Sequence, residues 1–155
     1  MKTKHRVAAH AKRQHHVNLN AHSDLIEKHR EPAAEPVMEI VKRLNECFQH
    51  LRNGGTSSAQ FDTPAAAINV GLIRAEKIDP MAVQTFILAV DAMQACDTRF
   101  ATHRRYGFGG VELQDMQAAI DLYAQILALS TPAQMNAALM ESADRMIQQA
   151  REQAA

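Results

Sequence analysis

The chain has 155 residues, a formal net charge of zero, 46% hydrophobic residues, 5% aromatic residues and no tryptophan. This length suits one domain that buries roughly 70% of the surface of its unfolded chain. Its longest uncharged apolar runs, such as 86–90, are too short to span a membrane, and the basic N-terminus lacks the apolar stretch of a secretory signal. We therefore expect a cytoplasmic protein whose two cysteines are reduced thiols on helices.

The chain begins with a basic, histidine-rich arm. Residues 1–16 carry four histidines and no acidic residue, whereas the remaining 139 residues hold 12 basic and all 17 acidic side chains. The cations of the arm are Lys2, Lys4, Arg6, Lys12 and Arg13. Such an arm is a solvated tail by default, but it can also bind nucleic acid, because lysine and arginine near phosphates release counterions.

A short helix is predicted within residues 20–30, and the sequence EPAAEP then interrupts the chain, because each proline disfavours helix at the residue before it. We place the boundary here, with the arm at 1–31 and a helical domain at 32–155. His15, His22 and His29 recur every seven residues, too far apart on a helix to hold one metal ion. No metal site and no cofactor are therefore expected.

Helix A is predicted over 34–52, because apolar residues recur there at alternating intervals of four and three, as on one buried helix face. These residues are Val37, Val41, Leu44, Phe48 and Leu51. The sequence NGG at 53–55 ends the helix, since asparagine or glycine readily takes the left-handed conformation that closes a helix. A polar loop, GTSSAQFD, is predicted to follow.

Three further helix starts share one pattern, a Thr or Asp followed by Pro. The side-chain oxygen caps the helix and proline suits its first position. The pattern predicts helix B over 64–77, helix C over 80–105 and helix E over 132–153, while helix D is predicted over 111–129 from its apolar face. The pairs are Thr63-Pro64, Asp79-Pro80 and Thr131-Pro132.

These elements predict an all-α, single-domain, bundle-like fold of about five helices. Helix C is the most apolar and is predicted to be central. Ala67, Gly71 and Ala75 on helix B form a small-residue stripe that allows close approach of another helix. Apolar residues left on second helix faces indicate a homodimer interface, and most methionines fall on core faces, with a Met-lined partner groove as the alternative.

The segment HRRYGFGG, residues 103–110, is predicted to be the joint between helices C and D. Gly107 would end helix C in a left-handed cap, and Phe108 would fold back over its last turn. The cations beside it are favoured at the negative end of the helix dipole. Arg104, Arg105 and Tyr106 are then expected to form an exposed corner that binds a partner protein or a nucleic-acid backbone.

Catalytic patterns are not recognisable in the sequence. No nucleophile motif, phosphate loop or paired metal-ligand motif occurs, and Glu46 and His50 are predicted to form a solvated contact on helix A. An enzyme remains an open alternative if its residues meet in three dimensions, in which case a deep pocket lined by convergent polar groups is expected.

Residues Arg104–Met146 resemble a group of small uncharacterised helical proteins carried by prophages and genomic islands of proteobacteria. The similarity lies in the basic aromatic GF joint, the LQ that follows, DLY, and LSTPAQM, and it extends back through INVGLIRAE, covering about half of the chain. The group has no assigned activity, so it implies an accessory protein of a mobile element and no catalytic residues.

Three functional hypotheses follow. The first is a non-enzymatic accessory protein that binds a host protein or complex, for example to inhibit a nuclease or a defence complex. The second is a nucleic-acid-binding protein that uses the basic arm, and the third is an enzyme whose site cannot be read from the sequence.

Overall fold

The structure is a computed structural model that describes residues 37–155, so the predicted arm at 1–31, its short helix and the domain boundary lie outside the described residues. The described chain forms α1 (Val37–Arg52), α2 (Ser58–Ile78), α3 (Pro80–His103), α4 (Gly110–Leu129) and α5 (Pro132–Ala154). Residues 37–155 contain no strand, and the predicted all-α, single-domain fold is confirmed.

Helix α1 is amphipathic, and its apolar stripe is buried progressively towards its C-terminus. Leu44, Phe48 and Leu51 are almost inaccessible to solvent, whereas Val37 in the first turn is exposed. The helix ends at Arg52, and Gly54 adopts a positive φ of 79°. The predicted left-handed closure by the NGG sequence is therefore confirmed.

The predicted start of helix B at Pro64 is wrong. Helix α2 begins six residues earlier, where the Ser57 side chain accepts a hydrogen bond from the backbone N–H of Gln60, and Pro64 lies inside the helix. A proline at this position cannot donate to the carbonyl four residues before it. Burial of Phe61 and of Pro64 itself offsets that loss, so packing overrides the local start signal.

Helix α2, and not the more apolar α3, is central in the bundle. It packs against each of the other four helices, and an almost continuous run of its residues from Phe61 to Ala75 is buried. The prediction that helix C is central is therefore wrong. Small side chains explain the difference, because a helix rich in alanine allows neighbours to approach on every side, whereas α3 exposes Ile87 and Leu88.

The small-residue stripe of α2, predicted to allow close approach of another helix, accommodates the ring of Phe86 from α3 at Gly71. A Cβ built on Gly71 would lie 2.3 Å from Cε1 of Phe86, a distance that no real contact allows. Ala67 and Ala75, which flank Gly71 by one turn on each side, are also buried. The closest approach of α2 and α3 is therefore set by the absence of a side chain at position 71.

Helix α5 begins as predicted, because the Thr131 side chain accepts from the N–H of Gln134 and Pro132 occupies the first turn. Ion pairs join its outer face to the end of α2, with Lys77 contacting Glu141 and Arg145 contacting both Glu76 and Glu141. These pairs are partly exposed and therefore contribute little energy each, about 0–1 kcal/mol. Apolar packing on α2 supplies most of the attachment of α5.

Two further properties follow from the described residues. Cys47 and Cys96 lie on helices α1 and α3, as the sequence predicts, and both are buried and form no disulfide within the described residues. Within residues 37–155, no helix combines the length and the apolar character needed to cross a membrane. Met81, Leu88 and Met140 remain exposed on outer helix faces, and the homodimer expected from such residues stays a prediction.

Candidate functional site

The joint between α3 and α4 presents two adjacent arginines to solvent. Arg104 caps α3 in the left-handed conformation, with φ 58° and ψ 22°, and its N–H donates to the carbonyl of Phe100 at 2.9 Å. Arg104 and Arg105 are both exposed, as the sequence predicts. We call these two residues the basic corner.

The predicted role of Gly107 is wrong, because Arg104 takes the left-handed position three residues earlier. Among residues 37–155, Arg104 is the one residue other than glycine with a positive φ, and Gly107 does not share that conformation. A left-handed arginine costs roughly 1–2 kcal/mol, which surrounding contacts must offset. The tight turn ends α3 at His103 and redirects the chain immediately before Tyr106.

Tyr106 is buried, with 4% of its surface exposed, so the expectation that it belongs to an exposed corner is wrong. Two rings stack on it, that of Phe100 at a centroid distance of 4.4 Å and that of Phe61 at 5.0 Å. Its backbone N–H also donates to the carbonyl of Gly55 at 2.9 Å. Aromatic burial therefore anchors the corner at Tyr106, and we call Phe61, Phe100 and Tyr106 the aromatic clamp.

A second anchor lies on the α4 side of the joint. Arg99 pairs with the carboxylate of Glu112 through both terminal nitrogens and also donates to the carbonyl of Gly107 at 3.1 Å. Glu112 in turn accepts from the N–H of Gly109 at 2.7 Å. The Arg99 hydrogen bond lowers the pKa of Glu112 below its usual value, although partial burial opposes this shift. One ion pair therefore fixes both ends of the glycine-rich segment.

Charge at the basic corner is not neutralised within the described chain. Neither Arg104 nor Arg105 contacts a carboxylate of residues 37–155. Arg105 Cδ lies 3.7 Å from the position that a Cβ on Gly54 would occupy, so its aliphatic stem runs along the α1–α2 loop. The corner therefore offers two cationic groups on a backbone that is fixed from both sides.

Two local predictions near the corner require correction. Phe108 packs against Phe48 of α1, with ring centroids 5.6 Å apart, and thus reaches a different helix from the one expected. His50 does not contact Glu46. Its Nε2 accepts from the N–H of Ser57 at 3.2 Å, and Gly55 packs against its ring. Both contacts connect α1 to the loops that flank the corner.

A buried carboxyl pair lies where α2 begins and α3 approaches its end. Asp62 and Asp97 are 9% and 8% exposed, and Oδ1 of Asp62 has no hydrogen-bond partner among the described residues. Burial, together with the negative charge of Asp97, raises the pKa of Asp62 to about 7. Burial also raises the pKa of Cys96, the residue before Asp97, to about 11, so its thiol stays protonated.

A groove with a volume of about 330 Å³ runs between α2, α3 and α5. Apolar side chains form most of its floor, including Ile68 and Leu72 of α2, with Met93 and Met146 on the two walls. Its polar rim consists mainly of amides, namely Asn69, Gln94, Gln149 and Gln153. This volume is at the lower limit of ordinary ligand sites, about 300–1,000 Å³.

The groove resembles the Met-lined surface considered from the sequence more than an enzyme pocket. Neither Asp62 nor Asp97 lines it, and Arg145 at its edge is already paired with Glu76 and Glu141. No cluster of three or more potential metal ligands occurs between residues 37 and 155. Asp62 and Asp97 therefore do not contribute acid–base groups to this groove.

The structure describes some of the residues that the sequence predicted for the site, and not the arm. The basic corner is exposed, Tyr106 is buried beneath it, and Lys2, Lys4, Arg6, Lys12 and Arg13 lie outside the described residues. Sequence reasoning missed the Arg99–Glu112 pair, although Glu112 stands three residues after Gly109, the spacing of a capping box. It also missed the Asp62–Asp97 pair, for which residues 35 positions apart give no local signal.

Comparisons with known proteins identify no relative. No protein-family model, no curated protein and no solved structure matches this chain. The resemblance to proteins of prophages and genomic islands therefore stays a prediction.

Proposed function

We propose that this protein acts by binding a partner protein, and that Arg104 and Arg105 of the basic corner make the principal contact. The observation that carries the proposal is that two consecutive exposed arginines have no carboxylate partner among residues 37–155. Arginine suits this role because its planar fork binds carboxylates through two hydrogen bonds. The partner surface would accordingly be acidic.

Rigidity of the corner supports the proposal. Long side chains lose less freedom on binding when their backbone is already fixed, so a preorganised corner binds with less entropic cost. Tyr106 is anchored by the aromatic clamp, and the next turn is anchored by Arg99 and Glu112. These anchors fix the backbone next to Arg104 and Arg105 while both residues stay exposed.

The biological setting is part of the proposal. An accessory protein of a mobile element, located in the cytoplasm, that inhibits a host nuclease or defence complex is the form implied by the resemblance of Arg104–Met146. A nuclease or nucleic-acid-binding complex is also a partner of suitable chemistry where it presents acidic side chains. The exposed apolar residues on outer helix faces, such as Met81 and Leu88, leave room for self-association in the same assembly.

Affinity capture from a host lysate tests this function. The full chain is compared with the double variant Arg104→Ala, Arg105→Ala and with a matched control, Lys42→Ala, Arg151→Ala, which removes two exposed cations from α1 and α5. We expect specific partners to be retained by the control and lost by the corner variant. Capture of the same partners by all three proteins, or of none by the unchanged chain, contradicts the proposal.

Nucleic-acid binding is the second candidate, and the charge of the arm favours it. Residues 1–16 hold five lysines and arginines and no acidic residue. Binding through them should weaken steeply with salt, with the logarithm of the affinity falling by about 0.9 for each phosphate contact per tenfold rise in salt on duplex DNA. Deletion of residues 1–19 should abolish the interaction. Unchanged binding by the truncated chain would move the activity to the helical body.

A further inference from the structure

The buried carboxyl pair, Asp62 and Asp97, connects the two helices that hold Tyr106. Asp62 directly follows Phe61 near the start of α2, and Asp97 precedes Phe100 by three residues near the end of α3. The rings of Phe61 and Phe100 both stack on Tyr106, which comes immediately after the basic corner. A movement of α2 against α3 at the carboxyl pair must therefore change the aromatic clamp.

The carboxyl pair has a feature that structural packing alone does not account for. Oδ1 of Asp62 is inaccessible to solvent and has no hydrogen-bond partner among residues 37–155. A buried ionised carboxylate without partners is costly, and a second carboxylate nearby increases the cost. The packing around Asp62 therefore favours the neutral carboxyl over the charged one.

We propose that the Asp62–Asp97 pair is a proton-dependent switch that controls the basic corner. With a proton bound to Asp62, α2 and α3 remain packed around Tyr106, and Arg104 and Arg105 are held in place. When that proton is released to solvent, Asp62 becomes a negative charge in the interior, at a site where Asp97 is also buried, and the clamp loosens. The consequence for partner binding rests on the proposed function of the corner, whereas the switch itself does not.

Other titratable groups lie near this end of α2, on α1, α3 and α4. On α1, His50 Nε2 accepts a hydrogen bond from the N–H of Ser57 at the start of α2. On α3 and α4, Arg99 and Glu112 neutralise each other beside the joint. Burial, and to a smaller extent the charge of Asp97, raises the pKa of Asp62 to about 7, and Cys96 remains a neutral thiol.

Hydrogen exchange of the Tyr106 backbone amide tests the switch directly, because this N–H donates to Gly55 and reports clamp opening. Protection factors are measured by NMR between pH 6 and 8.5 on the full chain, corrected for the intrinsic pH dependence of exchange. Asp62→Asn is the test variant and Asp91→Asn, an exposed aspartate of α3, is the control. In the unchanged chain and in the control, we expect the protection factor of the Tyr106 amide to fall about tenfold as the pH rises, which is equivalent to one pKa unit of coupling. In Asp62→Asn, we expect the protection factor not to fall.

A second measurement covers the case in which Asp62→Asn fails to fold. In the unchanged chain, the carboxyl carbon of Asp62 and the amide of Tyr106 should titrate with one shared midpoint. Separate midpoints, or protection that does not vary with pH, overturn the inference. Protection that falls equally in Asp62→Asn also overturns it, because the proton would then act elsewhere.

Partner binding separates this inference from the proposed function. If the clamp titrates but the corner variant retains every captured partner, the proposed function is contradicted and the switch is supported. If partners depend on Arg104 and Arg105 while Tyr106 protection is constant with pH, the switch is refuted and the proposed function is supported.

Discussion

Replacement of Asp62 by asparagine should change how the stability of this protein depends on pH. Burial and the neighbouring Asp97 raise the pKa of Asp62 from 3.8 to about 7 in the folded state. An acid with a raised pKa binds its proton more tightly when folded, so its favourable contribution is complete below the unfolded pKa. That contribution is lost progressively as the pH rises from about 4 to 7.

The size of the effect follows from this difference in pKa. A gap of about three pKa units, at 1.36 kcal/mol each, corresponds to about 4 kcal/mol. Solvent screening makes the change in stability smaller than this value. Between pH 4.5 and pH 8, we therefore expect the free energy of unfolding to fall by ~2–4 kcal/mol more in the unchanged chain than in Asp62→Asn. Asparagine has a similar shape and no charge, so Asp62→Asn should be similar in stability at pH 4.5 and the more stable of the two at pH 8.

Urea unfolding followed by circular dichroism at half-unit pH intervals measures this difference. Comparing two chains cancels the contributions of other groups, such as Glu112, whose lowered pKa makes it lose stabilisation on acidification. Asp91→Asn serves as the control, since Asp91 is exposed. If the curves of Asp62→Asn and the unchanged chain run parallel from pH 4.5 to 8, Asp62 is not a strained buried carboxyl and the reasoning is refuted.

Three further predictions concern packing and local anchors. Gly71→Ala should destabilise the protein by about 1–3 kcal/mol, because the added methyl collides with the Phe86 ring, and additional truncation of Phe86 to leucine should recover part of the loss in thermal unfolding. Ser57→Ala should lower the free energy of unfolding measured in urea by about 1 kcal/mol, because Ser57 caps α2, whereas Thr63→Ala should lower it much less. Equal losses in the two variants would support the predicted helix start at Pro64. Glu112→Gln should lower the free energy of unfolding by about 1 kcal/mol at low salt and by less in 1 M salt, because salt screens the ion pair with Arg99. A loss of stability that does not change with salt would exclude the ion pair as its cause.

The sequence predicted most elements that depend on neighbouring residues. Asp79-Pro80 and Thr131-Pro132 start helices because capping involves residues only two or three positions apart. The same local pattern failed at Thr63-Pro64, where Ser57 offered an earlier cap and the buried Phe61 continued the helix through the proline. Local signals therefore mark where a helix can start, while packing decides whether an earlier start is more stable.

The candidate site was predictable only in part, for a similar reason. Arginines in a helix joint are exposed unless something covers them, so Arg104 and Arg105 were found from the sequence. Tyr106 is amphipathic, and its burial depended on Phe61 arriving from a helix 45 residues earlier in the chain. The left-handed residue was predicted to be Gly107 but is Arg104, because the sequence of the joint does not specify which of its residues adopts that conformation.

By itself, the sequence determined the class of the fold, the approximate number of helices and the location of a basic joint, because periodicity, capping and charge are local properties. The tertiary structure alone decided which helix is central and which residues become anchors. Alanine-rich α2 became central because small side chains permit close approach on all sides. The Asp62–Asp97 pair likewise exists only after α2 and α3 pack, since the energy of a buried charge depends on neighbours that are distant in sequence.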